Sequence, residues 1–195
     1  MKEGIAYIYK TKEILGALCL DMFAVLFGGA VAMIPVFASD ILKSGAEGFG
    51  ILNAASDIGS MIIIVTLSFI PLRKNQGKIL IGVVAGFGLC IIGFGLSKLY
   101  WLSFLFLMLS GMFDGISVVI RGTIVQLKTP DNIRGRVMSV NSIFIMSSNE
   151  MGQFESGVAA KLLGVVRSVV FGGTMTVLIA LFVGKFVPKL RKMEY

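Results

Sequence analysis

The 195-residue sequence is 56% hydrophobic and 15% charged, with a mean hydropathy of +0.90 and a formal net charge of +7. A soluble domain carries about 25% charged residues, so this chain lacks the polar surface needed to cover a water-soluble globule. It has no histidine, and its two cysteines, Cys19 and Cys90, lie inside apolar runs. The usual zinc, thiol-relay and histidine-base chemistries therefore lack their residues, and no catalytic residue, metal or cofactor is expected.

The chain opens with MKEGIAYIYKTKE, which has no small-residue cleavage site after a short apolar core and does not read as a cleaved signal peptide. Six apolar segments follow, at about residues 14–38, 48–70, 79–97, 100–127, 134–160 and 166–187. Each approaches the roughly 20 residues of helix that a hydrocarbon core about 30 Å thick requires. Runs such as MIIIVTLSFI and TMTVLIALFVG carry no polar stripe, which argues against a soluble helical bundle with an unusually large core. The connections SDILKSGAEG, PLRKNQGK, SKLY, KTPDNIR and AKLLGVVR are short. The expected fold is all-α: a polytopic membrane protein of six transmembrane helices forming one domain over 1–195.

Six spans divide the ends and connections between two sides. Lys2, Lys10, Lys12, Arg73, Lys74, Lys78, Lys128, Arg134, Arg136, Lys185, Lys189, Arg191 and Lys192 fall on one side; Lys43, Lys98, Lys161 and Arg167 fall on the other. The excess of cations marks the cytoplasmic face and places both termini there. The basic surface suits anionic phospholipid headgroups. No aromatic-basic motif accompanies it, so a nucleic-acid partner is not expected.

Ionisable groups inside the spans are costly unless they face protein, water or a partner. They are Asp21 in the first span, Asp57 in the second, Asp114 and Arg121 in the fourth, and Glu150 and Glu155 in the fifth. Asp21 and Arg121 sit at similar depth from the cytoplasmic side, so a pair across the two helices is geometrically possible, with Asp114 the second candidate partner. Such a pair could serve packing or transport. The fifth span also holds Asn141, Ser142, Ser147, Ser148, Asn149, Gln153 and Ser156, so at least one of its faces must meet water or another polar helix. Ala55 with Gly59, Gly82 with Gly86, and Gly111 with Gly115 form small-residue pairs of the kind that lets helices pack closely.

The connection RGTIVQLKTPDNIRGRVMS and the first span ILGALCLDMFAVLFGGAVAMIPVFASDIL resemble the carboxyl-terminal half of a major facilitator superfamily transporter, in the branch of bacterial drug and siderophore exporters. Arg121, Gln126, Pro130, Arg134, Gly135 and Arg136 match that branch's segment after its tenth helix. PLRKNQGK is similar in position to the cytoplasmic gating loop of the superfamily but lacks its aspartate.

The resemblance covers essentially the whole chain. It implies a proton-coupled antiporter in the inner membrane that exports amphipathic small molecules. Asp21, Asp114, Arg121, Asn149, Glu150 and Gln153 would lie on the substrate or proton pathway, and Arg73, Lys74, Arg134 and Arg136 would act in cytoplasmic gating. A complete transporter of this type has twelve spans, so the expected partner is an amino-terminal six-helix half or a second copy of the chain. The competing expectation is a noncatalytic half-size subunit or truncated fragment that transports nothing alone.

Overall fold

A computed structural model describes residues 2–70, 72 and 75–187. It is all helical. Helix α1 (Lys2–Lys10) leads through Thr11 into α2 (Lys12–Phe27). A 3-10 turn (Ala30–Met33), the short α3 (Ile34–Val36) and a π turn (Phe37–Ile41) carry the same segment onward. Five long helices follow: α4 (Gly45–Phe69), α5 (Gln76–Leu96), α6 (Tyr100–Lys128), α7 (Arg134–Leu163) and α8 (Val165–Phe186).

Five segments among the described residues are long and apolar enough to cross a membrane: Lys12–Ile41, Gly45–Phe69, Gln76–Leu96, Tyr100–Lys128 and Val165–Phe186. Five of the six expected spans meet this criterion of length and composition. Helix α7 has the length, at 30 residues, but its serines, Asn141, Asn149, Glu150 and Gln153 leave it too polar to qualify.

Two further boundaries differ from expectation. The first segment is not one smooth helix, because α2 ends at the Gly28–Gly29 pair. AKLLGVVR is not an open connection; α7 and α8 are separated by Gly164 alone. That residue has φ +87°, a left-handed backbone that glycine adopts without strain.

The helices pack in two related sets of three. Helix α4 lies on α6, and α7 lies on the α2 segment, while α5 and α8 face each other. The second helix of each set thus packs on the first helix of the other, and the third helices pair together. This exchange is the one expected of a fold built from a structural repeat.

Glycines set the closest approaches. A Cβ on Gly111 would stand 1.9 Å from the Ser56 carbonyl oxygen, and one on Gly59 would stand 1.9 Å from that of Met108, so α4 and α6 touch backbone to backbone. Gly88 and Gly173 do the same for α5 and α8. Without a hydrophobic drive between helices in lipid, such contact supplies the dispersion energy that holds them. Gly86 receives the Phe113 ring, whereas Gly82 faces open space and takes no part in packing.

Two apolar cores stack along the bundle. The first gathers Ile8, Ile14, Leu20, Leu80, Ile120, Ile124 and Val137. The second gathers Ile34, Phe37, Leu52, Ile91, Phe94 and Leu107. Along α6, Leu107 belongs to the second core and Ile120 to the first, which leaves Asp114 at the level between them.

Candidate transport site

Helix α6 has 29 residues, and Asp114 stands at its midpoint. Ser110, Asp114, Ser117 and Arg121 recur at the three- and four-residue steps that place side chains on one helical face. Three of them are almost wholly inaccessible: Ser110 at 2%, Ser117 at 3% and Arg121 at 5% exposure. Asp114 and Arg121 stand out in the sequence as charges within a span, whereas the signal for Ser110 and Ser117 is the repeat of polar residues at helical spacing in an apolar helix.

Arg121 Nη1 donates to Asp21 Oδ2 at 2.5 Å, joining α6 to α2. Asp21 is itself only 5% exposed. The anticipated partner is therefore the one found. The pair is incomplete in hydrogen-bonding terms, because Arg121 Nε is buried without a partner, as are Ser117 Oγ and Asn141 Oδ1.

Asp114 does not join this pair directly; among the described residues no cation stands within ion-pairing distance of it. It does line a small cavity with Asp21, Ser117, Ala24, Val84 and Phe87. Arg121 does not line the cavity but is bound to Asp21, which does, so two carboxylates and one guanidinium belong to one buried cluster. With both acids ionised the cluster holds one net negative charge, and a single proton makes it neutral.

The remaining expected pathway residues are elsewhere. Asn149, Glu150 and Gln153 are exposed on α7 and do not reach the Asp21–Arg121 pair. On the adjoining surface, Leu26, Met151, Phe154, Val158, Leu162 and Glu155 line an open groove of about 510 Å³, with Glu155 its only ionisable group.

Of the residues expected to gate the inner face, Arg73 and Lys74 lie outside the described residues. Arg134 pairs with Asp131 at 2.5 Å, and Arg136 pairs with Glu3 of α1. Both pairs are substantially exposed, so each contributes little on its own.

Membrane-length helices, a repeat-like packing of two sets of three and a buried charged cluster at mid-height define a multi-pass membrane protein of the major facilitator kind. The match to the transmembrane secretion effector family runs over residues 1–195, and the chain belongs to that family. No curated protein matches it. Its general function is transport across a membrane.

Proposed function

We propose that the chain forms the carboxyl-terminal half of a secondary active, proton-coupled exporter of amphipathic small molecules in the bacterial inner membrane, with both termini cytoplasmic. The observation that carries this reading is Asp114: a carboxylate at the midpoint of a 29-residue membrane helix, beside an occupied ion pair and a small cavity, with no cation of its own. A structural acid would be expected to be paired. An unpaired one next to a guanidinium is suited to bind and release a proton as the site opens to either side.

Asp21 and Arg121 hold the site together and change partners as α2 and α6 move. Asn149, Glu150 and Gln153 give α7 a polar face toward the cargo path, and the apolar groove with Glu155 suits a molecule that is largely hydrophobic. The inner-face pairs Arg134–Asp131 and Arg136–Glu3 would break when the cytoplasmic side opens; Arg73 and Lys74 would add gating charge on that side.

The need for a partner rests on two exposed acids. Asp57 lies near the middle of α4 and Glu150 near the middle of α7, and both face outward. Against lipid each would cost up to ~2.5–3.5 kcal/mol. An amino-terminal six-helix half, or a second copy, would cover them, while α5 and α8 have no ionisable residue near their middles and can face lipid.

The test is flux in proteoliposomes containing this chain with an amino-terminal half and an imposed pH gradient. Amphipathic solutes should move faster than in empty vesicles, and Asp114→Asn should abolish the response to the gradient while leaving the protein folded. Absence of flux for every such solute, or an Asn variant with an unaltered pH response, would defeat the proposal.

A further inference from the structure

Helix α1 presents three different sides. At about 100° per residue, Gly4 and Ile8 fall on one side, Ile5 and Tyr9 on a second about 100° away, and Glu3 and Lys10 on the third. The first side meets protein. A Cβ on Gly4 would stand 2.9 Å from the Arg136 carbonyl oxygen, and Ile8 is 2% exposed among the first core. Tyr7 adds a hydrogen bond from its hydroxyl to the Lys128 carbonyl at the end of α6. The helix is thereby fixed across the ends of α6 and α7.

The second side is bare. Ile5 is 42% exposed and Tyr9 63% exposed, although both are large and apolar over most of their surface. Lys10 and Lys12 beside them are exposed, and so is Lys128 at the neighbouring end of α6. One residue, Thr11, separates α1 from the membrane-length segment Lys12–Ile41 that α2 begins, and the backbone continues across it through Thr11 N–H to Tyr7 O at 3.0 Å and Leu15 N–H to Thr11 O at 3.0 Å. Connectivity therefore holds α1 at the boundary between hydrocarbon and water.

We infer that α1 is an interfacial helix whose Ile5–Tyr9 side enters the headgroup layer of anionic phospholipid, with Lys10 and Lys12 meeting the phosphates. A helix at a bilayer boundary with apolar and aromatic side chains toward lipid and lysines at their flank has the chemistry of a lipid-bound amphipathic segment. The positive charge around it selects anionic over zwitterionic headgroups. Because its opposite side is bound to α6 and α7, the lipid contact bears directly on the ends of the helices that carry Arg121 and Glu150. The inference depends on the membrane placement of α2 and not on transport.

Tyr9→Trp in a Trp101→Phe background gives a single reporter on the outward side, where a larger ring meets no packing. The full chain is reconstituted in phosphatidylglycerol or phosphatidylcholine vesicles, and its fluorescence is quenched by soluble acrylamide or by lipids labelled near the headgroup. In phosphatidylglycerol, lipid quenching should dominate and acrylamide quenching should fall severalfold relative to phosphatidylcholine; Lys10→Glu with Lys12→Glu should remove that difference. Strong acrylamide quenching in both lipids would overturn the inference by showing a water-facing side. Protection from both quenchers would overturn it in favour of a protein occupant, and equal lipid quenching in both vesicles would overturn the selection for anionic headgroups.

Discussion

Arg121 and Asp21 are a hundred residues apart in the chain and 2.5 Å apart in the fold, each about 5% exposed. Their contact joins α6 to α2, the first helices of the two sets of three. Removing one member of a buried pair leaves an uncompensated charge, which typically costs about 3–5 kcal/mol, whereas replacing both by apolar groups of similar volume is often close to neutral. Arg121→Ala and Asp21→Ala should each lower the thermal midpoint and yield in detergent. Arg121→Met with Asp21→Leu should recover most of the stability while abolishing flux. Recovery of both would assign the pair to packing alone.

Asp114 should behave differently because it makes no direct ion pair that its loss would break. Asp114→Asn preserves the shape of the cavity and removes the ionisable proton. Its thermal midpoint should stay within the range of a surface substitution, about ±0.5 kcal/mol in stability. A large loss of folded protein would mean that the carboxylate has a structural partner, contrary to its lack of any ion pair among the described residues.

The glycines make a stability prediction with an internal control. Gly111→Val places a branched side chain where even a Cβ would lie 1.9 Å from the Ser56 carbonyl oxygen, and backbone cannot yield as a flexible side chain can. Forced separation of α4 and α6 should cost at least the ~1–3 kcal/mol typical of overpacking. Gly82→Ala meets nothing within 4 Å and should be neutral or stabilising by up to ~1 kcal/mol through helix propensity. Detergent melting of the two variants separates close packing from a general effect of removing glycine.

Composition and charge placement made the all-helical membrane class legible, and helical rise alone was enough to bring Asp21 and Arg121 to one depth. The small-residue pairs on α4 and α6 also pointed to a contact that exists. Other features depend on contacts remote in sequence and could not be read in advance. Tyr7 reaching Lys128, and Gly4 seated on the Arg136 backbone, require the fold before they can be seen. The break at Gly28–Gly29 was hidden because the apolar run continues unbroken through it. Asn149, Glu150 and Gln153 could be placed on one helix from their spacing, but only packing decides that they face away from the Asp21–Arg121 pair.

Helix α7 provides the last prediction, because its composition and its packing point in different directions. It is too polar to count among the apolar spans, yet its 30 residues extend about 45 Å. Val137 and Val140 belong to the first core, and Ala160 packs on the second, so α7 runs the full height of the bundle. Its buried side includes Gly152, where a Cβ would lie 2.7 Å from the Val25 carbonyl oxygen of α2. A helix fixed to a membrane-length neighbour in this way should cross with it, its exposed polar side covered by a partner rather than by lipid. Single cysteines at Arg134 and Lys161, in a Cys19→Ala and Cys90→Ala background, should then react with an impermeant maleimide from opposite sides of intact vesicles. Lys185→Cys should react from the same side as Arg134→Cys. Labelling of Arg134→Cys and Lys161→Cys from one side would mean that α7 does not cross, would move the end of α8 to the other face, and would remove the cytoplasmic placement of both termini together with the half-transporter architecture.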